Sequence, residues 1–332
     1  MSLKWAFNIA EASRAGPLRF QLHRGLFYTL RHMRILFITS SRIGDAVISS
    51  GILEHLRRQN PAARITVACG AAAAGVFTRL PGLERLIVFE KERFDMHWLR
   101  LWTKLVMHFW SITVDVRGSG LSIFLPAWRR NILRGGRRPG RRFQQLGAGM
   151  GLAEAPLPVT WTAPADEARA QALLPDGPYI GLGPTANWSG KIWPPERFVA
   201  LFQALAAEMP GAKAVIFAGP GAAEQAMAAP VLAAIPCAIN LVGTLSLPEV
   251  AACMHRLQIF IGNDSGLMHI AAAAGAPTLG LFGRSRADEY APAGICASFV
   301  TAPGPAGEAP MDGLAVETVL QAASELLARS QP

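Results

Sequence analysis

The sequence predicts an α/β protein built from two Rossmann-like, doubly wound parallel-sheet domains that face a central cleft. Its 332 residues are enough for two domains with separate cores. Short apolar runs of strand length alternate with stretches of helical pattern in both halves of the chain. A segment rich in Pro, Ala and acidic residues, 153–178, lies between the two series and is predicted to be a linker.

The first half follows the strand–helix alternation of a parallel sheet. Residues 34–39 read Arg-Ile-Leu-Phe-Ile-Thr, an apolar run of strand length that ends in small polar residues. A helix is predicted directly after it because the next residues return to a helical pattern. The further strands are expected near 64–69, 86–89 and 112–116, and the helices near 45–58, 71–80 and 95–108.

The second half repeats the pattern. Strands are expected near 179–183, 213–218, 238–241, 258–262 and 278–282, and helices near 195–208, 222–229, 246–255 and 265–274. The predicted domains are a basic amphipathic leader at 1–32, an N-terminal Rossmann-like domain at 33–152, the linker at 153–178, a C-terminal Rossmann-like domain at 179–313, and a C-terminal helix at 314–332 that is a candidate to pack back on the N-terminal domain.

Charge divides the chain in two. Residues 1–150 hold 24 Lys and Arg against 8 Asp and Glu, a net charge of +16, whereas residues 151–332 hold 8 against 15, a net charge of −7. A basic half indicates a polyanionic partner, such as nucleic acid, an acidic lipid surface or a phosphorylated glycan. Composition does not choose among these three.

Three loops carry polar residues at strand ends, where ligands of parallel sheets bind. The first, 39–45, holds one carboxylate, Asp45, which is either a general base or a charge in the first turn of a helix. The second, 183–195, places Lys191 just before Pro194 and Pro195, which suit a helix start; Lys191 either meets a diphosphate or is an ordinary solvated lysine. Gly181 to Ala186 also match a loose GxGxxA pattern, which is weak evidence for a dinucleotide site.

The third loop, 262–269, runs from an apolar strand into an alanine-rich helix with small residues at the junction. The first N–H groups of a helix lack intrahelical partners and carry the positive end of its dipole, so this junction is a predicted anion site. Asn263 or Asp264 could instead simply cap the helix. His269, one turn into the helix, faces a phosphate or is a satisfied core histidine.

Metal and disulfide chemistry are not expected. The sequence has no Asp-x-Asp pair, and no His or carboxylate cluster has metal-ligand spacing. The four cysteines are scattered without a CxxC pair and are interpreted as small buried side chains. No cofactor or metal is therefore predicted, and Lys191 with the helix terminus would stabilise a departing nucleoside diphosphate.

Together, these loops resemble glycosyltransferase family 9, the lipopolysaccharide heptosyltransferases, which have the two-domain GT-B fold. The resemblance spans about residues 33–325. The residues that carry it are Met33-Arg34-Ile35-Leu36 with Ser41-Arg42-Ile43-Gly44-Asp45, then Lys191-Ile192-Trp193-Pro194, and Asp264-Ser265-Gly266-Leu267-Met268-His269.

The resemblance implies a role for each motif. Asp45 resembles the family's catalytic base, Lys191 its diphosphate-binding lysine, and Asp264 the residue that holds the donor sugar. The further donor-site candidates are Thr185, His269, and the main-chain N–H groups of Ser265, Gly266 and Leu267, with Glu249 as a candidate ribose ligand. The implied reaction is inverting transfer of a heptose from ADP-heptose to a hydroxyl of a lipopolysaccharide core or related glycan.

The basic half fits an anionic glycolipid acceptor at the inner face of the cytoplasmic membrane. Arginine binds phosphate and carboxylate through a bidentate fork. In the leader, Leu18, Leu22, Leu26 and Leu30 recur every four residues among basic residues, as in an interfacial helix on an anionic bilayer. No signal peptide is evident, so a cytoplasmic, peripheral location is expected. The acceptor-binding candidates are Arg42, Arg117, Arg134, Arg137 and Arg138.

Three alternatives compete with this interpretation. A nucleic-acid-binding protein would suit the basic charge, but no zinc finger, helix-turn-helix or RNA-recognition signature is present. A dinucleotide-dependent oxidoreductase would need a GxGxxG where Ser40 to Asp45 stand. A sugar-nucleotide-binding protein without catalysis remains open, and only a turnover assay would exclude it.

Overall fold

The computed structural model describes residues 33–90, 92–133 and 139–330. They form two α/β domains, each built on a parallel sheet. The first sheet has five strands in the order β3-β2-β1-β4-β5 and the second has six in the order β11-β10-β9-β6-β7-β8. The predicted doubly wound architecture is therefore confirmed. The predicted leader at 1–32 lies outside the described residues.

The first sheet takes its interior strands from apolar runs that are almost completely buried. β1 lies in the middle and pairs in parallel with β2 on one side and β4 on the other. Strands buried on both faces read as continuous apolar runs, as these do. The strands are β1 (Arg34–Ile38), β2 (Arg64–Gly70), β3 (Leu83–Phe89), β4 (Trp110–Asp115) and β5 (Ala127–Ile132), and the helices are α1 (Ile43–Gln59), α2 (Ala71–Ala74), α3 (Met96–Leu105) and α4 (Arg142–Gly149).

The second sheet has β6 and β9 at its centre, paired in parallel. Gly183 lies opposite Gly262 in this pairing, and the ring of Phe260 would lie within 2.6 Å of a side chain at Gly183, so glycine is needed there. The strands are β6 (Tyr179–Gly183), β7 (Lys213–Ile216), β8 (Ile239–Asn240), β9 (Ile259–Asn263), β10 (Thr278–Phe282) and β11 (Ala297–Thr301). The helices are α5 (Pro164–Leu173), α6 (Pro195–Glu208), α7 (Ala222–Ala234), α8 (Leu247–Met254), α9 (Gly266–Ala273), α10 (Ala287–Tyr290) and α11 (Val316–Ser330).

Because Gly181 and Gly183 lie inside β6, the GxGxxA pattern has a structural reason. A phosphate-binding glycine loop must leave the strand and turn into a helix. Here the glycines let neighbouring aromatic side chains approach the strand. The pattern is therefore not a dinucleotide site.

Two of the four edge strands, β5 and β11, are absent from the expected elements. β5 reads Ala-Trp-Arg-Arg-Asn-Ile and β11 reads Ala-Ser-Phe-Val-Thr, and both are partly exposed. An edge strand pairs on one side only and is not fully covered, so it lacks the continuous apolar run that marks an interior strand. Burial, not backbone pairing, is what the sequence pattern reports.

The predicted linker contains a helix and is fixed to both domains. α5 begins at Pro164, a favoured first helical residue, and Asp166 accepts a hydrogen bond from the Ala163 N–H at 2.8 Å. The same carboxylate receives the guanidinium of Arg79 from the N-terminal domain through Nε at 2.8 Å and Nη2 at 3.0 Å. α5 also packs along α8 of the C-terminal domain.

The sequence suggested that the C-terminal helix packs back on the N-terminal domain, but the helix packs on its own domain. α11 lies against α6 and strands β9, β10 and β11. Its buried residues Val319, Ala323 and Leu326 recur at helical spacing and join the core of the C-terminal domain. The apolar stripe of the helix is thus covered by its own domain.

Candidate functional site

The site lies where the strand order of each sheet reverses. In the first sheet the reversal falls between β1 and β4, and in the second between β6 and β9. Ligands of open parallel sheets bind at the carboxyl ends of strands at such switch points. The loops that follow β1, β6 and β9 are the three loops singled out from the sequence.

Lys191 and Asp264 come together from the loops after β6 and β9. Lys191 Nζ lies 2.5 Å from Asp264 Oδ2, and the side chains are 21% and 7% exposed. Neighbouring residues explain the placement, because Trp193 is completely buried and its N–H donates to Asn263 Oδ1 at 3.1 Å. The indole Nε1 of Trp193 donates to the carbonyl of Leu314 at 2.9 Å. The Lys191 loop is thereby anchored to the end of β9.

The start of α9 is open to an anion. Its N-cap is Ser265, which makes no side-chain capping hydrogen bond, so the alternative in which Asn263 or Asp264 caps the helix is not found. Ser265 Oγ and Asn263 Nδ2 are buried, and the structure shows no hydrogen-bond partner for either atom. Buried polar groups without partners cost free energy unless a ligand or water satisfies them. The two groups and the first N–H groups of α9 therefore offer several unused donors in one place.

His269, one turn along α9, is buried beside the Lys191–Asp264 pair. Its Nε2 lies 4.0 Å from Asp264 Oδ1. Burial lowers the pKa of His269, whereas the carboxylates of Asp264 and Asp45 raise it and Lys191 lowers it, with a net shift downward. A lowered pKa keeps the imidazole neutral at neutral pH, so one ring nitrogen donates and the other accepts.

Asp45 lies in the first turn of α1, and it accepts a hydrogen bond from Ser40 Oγ at 3.3 Å. The hydroxyl of Ser40 also accepts the N–H of Arg42 at 3.1 Å, which shapes the loop between β1 and α1. Arg42 is the N-cap of α1 and makes no side-chain capping bond. Asp45 is only partly buried, so one of its oxygens is free to meet a ligand.

The first turns of α1 and α9 meet across the two domains. A β-carbon on Gly44 would lie 2.9 Å from His269 Cδ2, and one on Gly266 would lie 2.9 Å from Ile43 Cβ. Glycine at both positions is what allows the two helix starts to approach. Asp45 of one domain is consequently brought beside His269, Asp264 and the unfilled donors of the other.

Two residues near the site, Glu224 and Tyr290, were not predicted from the sequence. Glu224, at the start of α7, accepts the N–H of Gly219 at 2.6 Å and the hydroxyl of Thr185 at 3.4 Å. Thr185, itself a predicted site residue, is 2% exposed at the end of β6. Burial raises the pKa of Tyr290, and the carboxylates of Glu289 and Asp45 add to the effect.

Glu249 has a structural partner instead of a clear place in the site. It receives the N–H of Ser246 at 2.8 Å and the hydroxyl of Ser246 at 2.7 Å, which makes a capping box at the start of α8. A carboxylate engaged this way satisfies the helix terminus. Glu224 is the acidic side chain that the structure sets beside Thr185.

The predicted acceptor residues are only partly described. Arg42 is exposed at the N-cap of α1, the helix whose first turn bears Asp45. Arg117 follows β4, and its guanidinium carbon lies 5.4 Å from the ring centre of Trp98 and 5.9 Å from that of Phe89. Its loop is held by buried Asp115, which accepts the N–H groups of Arg117 and Ser119. The candidates Arg134, Arg137 and Arg138 lie outside the described residues.

The described part of the chain shows neither a metal-ligand cluster nor a helix that could span a membrane. Within residues 33–90, 92–133 and 139–330, no group of three or more His, Cys, Asp and Glu side chains is arranged to hold a metal ion. None of the helices in these ranges is both long and apolar enough to cross a bilayer.

The sequence model of glycosyltransferase family 9 (heptosyltransferase) matches residues 143–305. Lipooligosaccharide heptosyltransferase 2 of Haemophilus influenzae is 24% identical over 301 residues, which cover 78% of this chain and 86% of that protein. Lipopolysaccharide heptosyltransferase 3 of Escherichia coli is 35% identical over 107 residues, but these cover only 32% of this chain and 31% of that protein.

A solved structure agrees in fold. The Escherichia coli ADP-heptose lipopolysaccharide heptosyltransferase II superposes with a TM-score of 0.71 at 20% identity, covering 90% of this chain and 100% of that one. The two facing parallel-sheet domains, with their polar loops gathered at the switch points, have a GT-B-like fold. The family that this chain resembles is glycosyltransferase family 9, whose sequence model matches just under half of its residues.

Proposed function

We propose that the protein transfers a heptose from ADP-heptose to a hydroxyl group of a lipopolysaccharide core or a related glycan, with inversion at the anomeric carbon and without a metal ion. The observation that carries the proposal is the approach of Asp45, on the first turn of α1, to the first turn of α9. The names of the H. influenzae and E. coli relatives support the heptose, and the E. coli structure's name supports the ADP donor.

The donor diphosphate fits the C-terminal side of the cleft. Lys191 supplies a compact positive charge, and the N–H groups at the start of α9 with the Ser265 hydroxyl supply donors. Asp264 would repel a phosphate, so it is suited to accept hydrogen bonds from sugar hydroxyls. Glu224, beside Thr185, is suited to hydroxyls for the same reason.

The reaction then needs one base and one stabilised leaving group. Asp45 accepts the proton of the acceptor hydroxyl while the oxygen of that hydroxyl forms a bond to the anomeric carbon. The bond from that carbon to the diphosphate oxygen breaks, and its electron pair stays on ADP. Lys191 and the donors of α9 neutralise this developing charge, which is the task that a metal ion performs in other enzymes. Attack from the face opposite ADP inverts the anomeric configuration.

The expected acceptor is an anionic glycolipid at the inner face of the cytoplasmic membrane. The net charge of +16 in residues 1–150 supports attraction to such a surface, and Arg42 and Arg117 lie on loops at the N-terminal side of the cleft. A non-catalytic sugar-nucleotide-binding protein is the competing function. It would bind ADP equally well without turning over the donor.

The test is ADP release by the purified full chain with ADP-heptose and a heptose-free lipopolysaccharide core. We expect ADP release that depends on the acceptor and that persists in EDTA. With UDP-glucose or GDP-mannose as the donor, we expect no acceptor-dependent release of UDP or GDP. NMR of the product should show an inverted anomeric centre. ADP binding without acceptor-dependent release would favour the non-catalytic alternative, and loss of release in EDTA would contradict metal independence.

A further inference from the structure

One corner of the N-terminal domain exposes five large apolar side chains that no feature of the proposed site uses. Their exposed fractions are 87% for Met107, 59% for Phe109, 53% for Ile123, 71% for Phe124 and 80% for Trp128. We call these five residues the aromatic corner. Scattered apolar residues on a surface need no explanation, but several large ones on adjoining segments mark an interaction site.

The segments that carry the aromatic corner are fastened to one another. Trp102 Nε1, on α3, donates to the carbonyl of Phe124 at 3.0 Å. Arg130, on β5, donates to the carbonyls of Ser122 at 3.2 Å and Leu125 at 2.6 Å. The N–H of Trp110, at the start of β4, donates to the carbonyl of Pro126 at 2.9 Å. The exposed side chains therefore extend from one rigid framework.

The segments of the aromatic corner carry basic residues, one of which, Arg100, pairs with Glu92 at 2.7 Å. The stretches 99–110 and 121–132 contain no Asp or Glu, and they contain Arg100, Lys104, Arg129 and Arg130. All four basic residues are exposed. Arg129 and Arg130 directly follow Trp128, so cationic groups adjoin an exposed aromatic ring on the edge strand β5.

The aromatic corner lies away from the cleft. Phe109 precedes β4 and Trp128 is the second residue of β5, so both are at the amino ends of strands whose carboxyl ends face the site. β5 is the outer strand of its sheet. A large partner could cover this corner without filling the cleft.

We propose that the aromatic corner is a docking surface for an anionic lipid bilayer. Trp and Phe partition into the region between headgroups and acyl chains, while neighbouring Arg and Lys are attracted to anionic headgroups. A second copy of the chain is disfavoured as the occupant, because a two-fold contact would place Arg129 and Arg130 against themselves. The proposal does not require heptosyl transfer, since lipid binding is measured without donor or acceptor.

The first test is sedimentation of the full chain with vesicles at about 0.15 M salt, where charges more than about 8 Å apart are screened. We expect binding to phosphatidylglycerol-rich vesicles and little binding to pure phosphatidylcholine vesicles. The double variant Phe124→Ser, Trp128→Ser should reduce the partition coefficient by about tenfold or more, because interfacial binding scales with buried apolar area. Ile295→Ser, which alters a residue that is 91% exposed on the C-terminal domain, is the matched control and should bind as the unaltered chain does.

A second variant separates lipid contact from damage to the fold. Trp128→Phe keeps the side chain apolar, so it should bind vesicles normally but lose the part of the tryptophan fluorescence that brominated lipids quench. Unchanged binding by the Ser double variant, or unchanged quenching in Trp128→Phe, would overturn the proposal. So would self-association of the unaltered chain in lipid-free sedimentation velocity that disappears in the Ser double variant, since the corner would then be a protein interface.

Discussion

The two sides of the cleft are built differently. On the C-terminal side, Asn263, Asp264 and His269 are nearly inaccessible to solvent, and buried donors there lack partners. On the N-terminal side, Asp45 is only partly buried, and Arg42 and Arg117, which follow β1 and β4, are exposed. The polar groups of the C-terminal side are therefore buried and fixed in place, whereas those of the N-terminal side are open to solvent.

This difference fits two ligands of different kinds. A nucleotide diphosphate has a fixed shape, and a preorganised set of donors binds it without paying to rearrange. A large glycolipid is delivered on a surface, and exposed cations attract it from a distance. The charge of the halves follows the same division, with +16 in residues 1–150 and −7 in residues 151–332.

Replacing Asp45, the carboxylate that the N-terminal domain contributes, should have the largest effect on the reaction. Asp45→Asn keeps the size of the side chain and removes its ability to take a proton. We expect turnover to fall about 100-fold or more with ADP affinity nearly unchanged, because loss of a positioned base costs about that much. The measurement pairs acceptor-dependent ADP release with calorimetric ADP binding.

Asp95→Asn serves as the control for this change, since Asp95 is exposed in the same domain. It should leave both turnover and ADP affinity unaltered. Full activity in Asp45→Asn would remove Asp45 from the mechanism, and the N-terminal side would then contribute binding alone.

The complementary change on the C-terminal side should act on affinity. Lys191→Ala removes the charge that lies 2.5 Å from Asp264, and it should weaken ADP binding by about 10- to 100-fold, the range for losing charge-assisted hydrogen bonds. The control is Lys213→Ala, which alters the other lysine beyond residue 150. Lys213 is exposed at the start of β7. This variant should bind ADP normally. Equal ADP affinity in the two variants would count against Lys191 as a diphosphate ligand.

The sequence predicted interior elements and strand-end loops well, for a physical reason. β1, β6 and β9 are buried on both faces, so they read as apolar runs, and the polar residues that follow them stand out. A parallel sheet brings such strand ends to one edge, which is why Asp264 and Lys191, 73 residues apart, could be assigned to one site.

The residues and the strand that the sequence did not predict are defined by tertiary contacts, which the hydrophobic pattern of the sequence does not encode. Glu224 sits on an exposed alanine-rich helix start and is recognised only through its hydrogen bonds to Gly219 and Thr185. Glu249 looked equally suitable in sequence, yet it caps α8. β5 was missed because its outward residues are Trp and Arg rather than a buried apolar run.

The junction between the two sides can be tested at Gly44. Gly44→Ala places a β-carbon 2.9 Å from His269 Cδ2, so the first turns of α1 and α9 must separate slightly. A displacement of the base relative to the donor should lower turnover by about tenfold, since misplacement of reacting groups is costly. ADP affinity should change little, because the diphosphate donors lie on the C-terminal side.

Gly221→Ala is the matched control, since a β-carbon there meets no atom within 4 Å. Unaltered turnover in Gly44→Ala would mean that the close approach of the two helix starts is not needed for catalysis. Parallel loss of ADP affinity would mean that the two sides are not separable in function.

The smallest expected effect concerns how the N-terminal side is held rather than what it binds. Glu54, on α1, receives Arg57 through two bonds of 2.8 Å, Arg58 at 2.7 Å and the indole N–H of Trp161 at 3.2 Å. The hydrogen bond from Arg57 is the main cause that lowers the pKa of Glu54 from its usual value of 4.5 to about 2. The carboxylate therefore ties α1 to the segment that joins the domains.

A lowered carboxylate pKa means that the unfolded chain binds its proton first as the pH falls. The stabilising contribution of Glu54 is complete above pH 4.5 and is lost between pH 4.5 and about 2. Glu54→Gln should lower the free energy of unfolding by roughly 1 kcal/mol at neutral pH, because one acceptor oxygen remains. Glu84→Gln breaks an exposed pair with Arg64 and should cost less than about 0.5 kcal/mol. Denaturant unfolding at pH 7 and pH 3 distinguishes them: the difference between the two variants should be smaller at pH 3 than at pH 7, because part of the contribution of Glu54 is already lost at pH 3. An equal cost at both pH values would show that Glu54 acts through packing instead of charge.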